Sequence, residues 1–184
     1  MRICVYCASS EEIDAAHVEM ARATGTWIGA HGHSLIWGGC RLGLMQCVGE
    51  SVQRAGGTVV AVLPRFLAAR ELAFETADEC VVTTTMADRK QYMRDNADAF
   101  VALSGGIGTW DEVLEVLALK KLEQLAAPVV IANVGGYFDP LFGMIERSVR
   151  EGFNPSDLGR LFTVAGNPDQ MHRALAAAAR DADA

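Results

Sequence analysis

Three groups of residues in this chain have types and spacings suited to chemistry. Two are glycine clusters: Gly38, Gly39, Cys40, Arg41, Leu42 and Gly43, then Ser104, Gly105, Gly106, Ile107, Gly108 and Thr109. Glycine lets the backbone turn sharply and approach a ligand closely. Where such a turn opens a helix, unpaired N–H groups and the positive end of the helix dipole favour an anion. One cluster alone reads equally well as a tight strand–helix connection; two at strand ends favour a phosphate site. Neither is a P-loop, because no Lys-Ser or Lys-Thr pair follows, and the second lacks the glycine spacing of a dinucleotide fingerprint. The third group is ionisable: Arg89 and Lys90, with Glu112 and Glu115 further on. On spacing alone, Thr109-x-x-Glu112 reads as a capping box at a helix start. Glu115, one turn later, can share a face with Glu112. Arg89 and Lys90 open a helical stretch and read as a common exposed basic pair; because that end is unfavourable for cations, a nearby anionic ligand or carboxylate would also explain them.

These groups need elements to position them. Short β-like runs are expected at Ile3–Cys7, Ser34–Trp37, Thr58–Leu63, Cys80–Thr84, Ala99–Leu103, Val129–Asn133 and Phe162–Ala165. Several are unbroken apolar runs, as in strands buried on both faces. Ile13, Ala16, Met20, Ala23 and Trp27 recur at helical spacing, and further helices are expected near Leu44–Ala55, Ala87–Asn96, Trp110–Leu125, Phe138–Glu151 and Pro168–Ala179. The alternation predicts a single α/β domain over residues 1–184. Its architecture is a Rossmann-like, doubly wound parallel sheet with helices on both faces. Ligands of such sheets bind at the carboxyl ends of the strands, where both glycine clusters and Arg89 fall. The segment from Pro64 to Ala77 shows no clear element and reads as a long, functional loop. The tail from about Ala174 is Ala-rich and is expected to fray at its end.

Composition narrows the partners. The formal net charge of −7 argues against a nucleic-acid surface, which needs excess positive charge to displace counterions. A single small phosphate is compatible with it, because a local pocket can act against the global charge. No stretch is long and uncharged enough to span a bilayer, so no membrane partner is expected. The run from Met1 to Cys7 lacks the cationic start, long apolar centre and cleavage site of an export signal, and reads as a first buried strand of a cytoplasmic protein. The five cysteines are odd in number and suggest no disulfide framework. Cys4 and Cys7 have CxxC spacing, but on a strand they point to opposite faces, as small buried hydrophobes. His17, His31, His33 and His172 read as structural or exposed, and no metal is expected.

The stretch from Ser104 to Glu112 resembles the PGGxGTxxE motif of the LONELY GUY (LOG) family, the cytokinin riboside 5′-monophosphate phosphoribohydrolases. Met86, Arg89, Lys90 and Met93 resemble that family's M-x-x-R-K-x-x-M element, at a fitting separation. The resemblance runs from Ile3–Ser10 through Trp37, Gly38, Gly39 and Gly43 to Phe153. It implies a Rossmann-like homodimer with the active site near the subunit boundary. It implies hydrolysis of an N-glycosidic bond, giving free base and ribose 5-phosphate without a cofactor. It implies that Arg89 and Glu112 are catalytic, and that Glu71, Lys90, Gly105, Gly106, Ile107, Gly108, Thr109 and Asp111 bind the nucleoside monophosphate. The chain departs from the pattern at Ser104, where the motif has proline, and at Ala87, Ala118 and Leu119, which bear on base preference. Relatives have been labelled lysine decarboxylases; Lys90, Lys120 and Lys121 offer no clear pyridoxal-phosphate lysine.

Breaking an N-glycosidic bond builds positive charge on the ribose. A carboxylate such as Glu112 can stabilise that charge, orient hydroxyls or activate water. Arg89 would hold phosphate or ribose, or stabilise charge on the leaving base. Main-chain N–H groups around Gly106, Gly108 and Thr109 would grip the 5′-phosphate, and Glu71 would recognise base or sugar. Three other readings stay open on sequence: a hydrolase of ordinary nucleoside monophosphates such as AMP, a non-catalytic nucleotide or molybdenum-cofactor carrier, and a partner-binding regulatory protein.

Overall fold

The computed structural model describes residues 1–68, 74 and 76–182. In chain order the elements are β1 (Arg2–Tyr6), α1 (Ala15–Ala30), β2 (Ser34–Trp37), α2 (Gly43–Arg54), β3 (Thr58–Pro64), α3 (Arg65–Ala68), β4 (Glu79–Thr83) and α4 (Met86–Asp95). They continue with β5 (Ala99–Ala102), α5 (Ile107–Lys121), β6 (Val129–Ala132), α6 (Asp139–Arg150), β7 (Thr163–Ala165) and α7 (Pro168–Ala182), with 3-10 turns at Val134–Gly136 and Leu158–Leu161. The strands form one sheet in the order β4-β3-β2-β1-β5-β6-β7. Every adjacent pair is parallel. The seven strands fall where the apolar runs place them. The expected loop after Pro64 opens instead on the short helix α3.

Strand alternation sorts the core into two layers. Ile3, Val5 and Cys7 of the β1 region face one side, where Met20 and Ile28 of α1, Val48 and Val52 of α2, and Met171 and Leu175 of α7 pack. Cys4 and Tyr6 face the other, against Met93 of α4 and Val113, Val116 and Leu117 of α5. The CxxC cysteines therefore lie on opposite faces, each buried and free, as a strand requires. Helix α7 reaches Ala182, anchored by buried Leu175 and Ala178. No helix among the described residues is long and apolar enough to cross a membrane.

The strand order makes a crevice. The chain winds outward from β1 through β2, β3 and β4, then returns to the other side of β1 as β5. The loops leaving β1 and β5 diverge there, the position at which open parallel sheets bind ligands. A hydrogen bond from Ala8 N to Ser104 O, 3.1 Å, ties the two strand ends together.

Candidate active site

Arg89 owes its place to a capped helix. The hydroxyl of Thr85 accepts from Asp88 N at 3.1 Å, and the Asp88 carboxylate accepts from Thr85 N at 2.9 Å. This reciprocal pair starts α4 and brings Arg89 onto its first turn, facing the sheet. The Arg89 side chain is 5% exposed. Its Nε donates to Val62 O at the carboxyl end of β3, 3.0 Å, and its Nη1 donates to Glu112 Oε1, 2.6 Å. The guanidinium crosses the first glycine cluster. A Cβ at Gly38 would collide with Nη2 of Arg89, so the close approach needs glycine there.

Glu112 does not cap its helix. Helix α5 begins at Ile107 with Gly106 as N-cap and no side-chain cap, so Thr109 and Glu112 already lie inside it. The spacing that suggested a capping box belongs to a helix starting three residues later, at Trp110. Thr109 packs against Gly105, where a Cβ would strike its hydroxyl. Glu112, 5% exposed, points inward to Arg89. Burial lifts its carboxyl above the ordinary value, and the attraction and hydrogen bond of Arg89 work in the opposite direction. With no side chain closing its first turn, α5 presents its leading N–H groups and dipole to the crevice.

A polar staple flanks this pair. Lys90 Nζ donates to Asp111 at 2.8 Å and lies 3.1 Å from Glu115, whose carboxylate also accepts from Arg94 Nη1 at 3.0 Å. The Asp111 hydrogen bond, more than any other contact, holds the Lys90 ammonium above its usual pKa. Glu115 thus serves α4 rather than sharing the crevice with Glu112.

These groups border a cleft of about 330 Å³. Of the residues singled out by sequence, Arg89, Glu112, Asp111, Gly106, Gly108 and Thr109 line it. Lys90 is not in the cleft wall, Ile107 is 81% exposed, and Gly105 borders a neighbouring cavity of about 310 Å³. Glu71 lies outside the described residues. Gly38 and Cys40 of the first glycine cluster line it too, and Ser9, Ser10 and Met45, to which sequence reasoning gave no binding role, complete the wall. They follow β1 and β2, so the rule of strand carboxyl ends could have found them. Leu63, Leu67, Met45 and Met86 give the cleft an apolar part of its wall.

The arrangement offers an anion site at a helix N-terminus, a buried carboxylate held by a guanidinium, and an apolar wall. It suits a ligand that is anionic at one end and flat and apolar at the other. Among the described residues, no group of three or more His, Cys, Asp or Glu is disposed to hold a metal ion.

The chain is similar to known proteins in sequence and in fold. A family model described as "Possible lysine decarboxylase" matches residues 45–175. The chain is 39% identical over 173 residues to the rice protein named "Probable cytokinin riboside 5'-monophosphate phosphoribohydrolase LOGL9", covering 94% of this chain and 76% of that one. It is 37% identical to the Mycobacterium tuberculosis "Cytokinin riboside 5'-monophosphate phosphoribohydrolase", covering 92% of this chain and 90% of the relative. Among solved structures, the molybdenum cofactor carrier protein of Chlamydomonas reinhardtii superposes with a TM-score of 0.74 at 24% identity, covering 97% of this chain and 98% of the other. That likeness speaks to the fold alone.

Proposed function

Because the chain belongs to the family that the "Possible lysine decarboxylase" model describes, the family of the LOG phosphoribohydrolases, we propose that it hydrolyses the N-glycosidic bond of a cytokinin riboside 5′-monophosphate, releasing the N6-modified adenine and ribose 5-phosphate. The observation that carries this reading is the buried Arg89–Glu112 pair beside the open N-terminus of α5. The 5′-phosphate sits on the N–H groups at Gly106, Gly108 and Thr109. The base lies along the apolar wall. Glu112 faces the ribose, where its carboxylate stabilises positive charge developing at C1′ and orients the attacking water. The C1′–N9 bond breaks, water supplies hydroxyl to C1′, and its proton goes to the base. Arg89 keeps Glu112 ionised and offsets negative charge on the departing base. Lys90 and Asp111 hold α4 against α5, and Glu71 is assigned to sugar or base recognition on family resemblance.

The decarboxylase description fits poorly. Lys90 is engaged by Asp111 and Glu115, Lys120 by the carbonyls of Ala126 and Ala127, and Lys121 by Asn154. These are the chain's three lysines, and none lines the cleft, so the residues present do not fit pyridoxal phosphate.

The active unit is proposed to be a homodimer joined along α5. Ile107, Trp110 and Leu114 recur on one face of that helix and are 81%, 45% and 47% exposed. We place the protein in the cytoplasm.

The test is incubation of the purified protein with isopentenyladenosine 5′-monophosphate, AMP and the matching nucleosides, following free base by chromatography. Base release from the modified monophosphate in preference to AMP supports the reading. Faster release from AMP replaces it with a broader nucleoside monophosphate hydrolase. Tight binding without release from any nucleotide replaces it with a carrier.

A further inference from the structure

The loop assigned to the 5′-phosphate works only if its N–H groups stay in place, yet its outer side is open. Among the described residues, nothing stands within 4 Å of a Cβ built on Gly106 or Gly108. Behind the loop is the second cavity, about 310 Å³, so packing does not back it either. The hold comes from its leading end. Ser104, 6% exposed, shares a 2.7 Å hydrogen bond between its hydroxyl and Nδ1 of His17. The Tyr137 hydroxyl donates to Gly105 O at 2.6 Å. The His17 and Tyr137 rings meet edge to face, with centroids 5.7 Å apart and planes at 79°. Residues from α1 and from the turn after β6 thus converge on the two residues that lead into the loop.

Resting on the phosphate reading above, we propose that His17 and Tyr137 are positioning residues for the phosphate loop, acting through Ser104 and Gly105. The related motif has proline where this chain has Ser104, and proline fixes φ covalently. Serine does not, so here a side-chain hydrogen bond to His17 supplies the restraint. The brace touches neither the base nor the glycosidic bond. Its effect falls on phosphate binding and leaves the chemical step unchanged.

The experiment measures ribose 5-phosphate affinity by calorimetry, and KM and kcat on the monophosphate and the phosphate-free riboside. The variants are His17→Ala, His17→Asn, Ser104→Ala, Tyr137→Phe and the His17→Ala/Ser104→Ala pair. The alanine variants should weaken ribose 5-phosphate binding and raise KM by about five- to tenfold, the worth of one lost hydrogen bond, with kcat changed by less than about twofold. The double variant should be no worse than the weaker single one, because both cut one bond. His17→Asn, whose side-chain oxygen can stand in for Nδ1, should recover most of the affinity. In a Ser104→Pro background, adding His17→Ala should cost nothing further. Unchanged ribose 5-phosphate affinity in His17→Ala and Ser104→Ala, additive losses, or an equal loss on the phosphate-free riboside would overturn the brace. If wild-type protein releases no base but binds ribose 5-phosphate or AMP with this variant pattern, the brace stands and the hydrolase reading falls. Wild-type protein that binds neither overturns the brace as well.

Discussion

Gly38, at the end of β2, and Arg89, on the first turn of α4, are packed so closely that a single methyl group on Gly38 would overlap Nη2 of the guanidinium. A flexible arginine could ordinarily swing aside. This one cannot do so cheaply, because Val62 O and Glu112 pin it from two directions and Met45 stands 3.1 Å from the same added methyl. Gly38→Ala should therefore displace Arg89 from Glu112. We expect kcat/KM to fall by about tenfold or more and stability by about 1–3 kcal/mol, the usual cost of overpacking. Steady-state kinetics and denaturant melts check both numbers. Full activity in Gly38→Ala would mean the Arg89 geometry does not matter to catalysis.

Glu112→Gln keeps the shape and an acceptor for Arg89 but removes the charge. A carboxylate that meets the transition state should cost about a hundredfold or more in kcat when neutralised. Circular dichroism and the melting temperature should show the fold retained. Arg89→Ala differs, because it strands a buried carboxylate. It should cost about 3–5 kcal/mol of stability as well as activity. Arg89→Met/Glu112→Leu should recover the stability without any activity, which separates the role of the pair in folding from its role in catalysis.

The fold was legible because its signals are local and redundant. Unbroken apolar runs such as Val59–Leu63 and Phe100–Leu103 read as strands covered on both faces, and their alternation with helices then favours a parallel sheet. The site was legible only in part. Glu112 looked like a cap because spacing shows a candidate hydrogen bond but not the residue at which the helix begins. That start is set by Gly106, which leads α5 without a side-chain cap. The Lys90–Asp111 and Arg94–Glu115 pairs join residues 21 apart in sequence, so they appear only once α4 and α5 lie side by side. His17 and Ser104, 87 residues apart, are joined by the same kind of tertiary accident of topology.

The pH profile should carry the signature of Glu112. Burial raises its carboxyl above the ordinary value in the folded protein, Arg89 notwithstanding, while the unfolded chain keeps the ordinary value. Folding therefore favours the protonated form. The stability this group contributes is fully present below the unfolded pKa and is lost as pH rises through the folded one. Activity has the opposite slope, since the ionised form is required. We expect kcat/KM to fall on acidification with an apparent pKa above the ordinary carboxylate range, and Glu112→Gln to lack that limb in its residual activity. Proton uptake on folding, measured by melts between pH 4 and 7 in wild type and Glu112→Gln, checks the stability side.

The proposed dimer is testable at the exposed ridge of α5. Glu112, Val113, Val116 and Leu117 face inward, whereas Ile107, Trp110, Leu114 and Ala118 run along the outer face at three- and four-residue steps. A helix with only water beyond it would carry charge on that face. A two-fold pairing lets the ridge pack against its own copy, as self-complementary dimer interfaces do. Leu114→Glu and Trp110→Glu each place a carboxylate at the centre of that contact. Light scattering should give a dimer for wild type and a monomer for either variant, with melting temperatures lowered by the lost association. Ile107 stands between Gly106 and Gly108 of the cleft wall, so a partner seated on the ridge would also border the cleft. The monomeric variants should then lose activity even though Arg89 and Glu112 are intact. Variants that stay dimeric would move the interface elsewhere. Monomeric variants with full turnover would show that each chain's cleft is complete by itself.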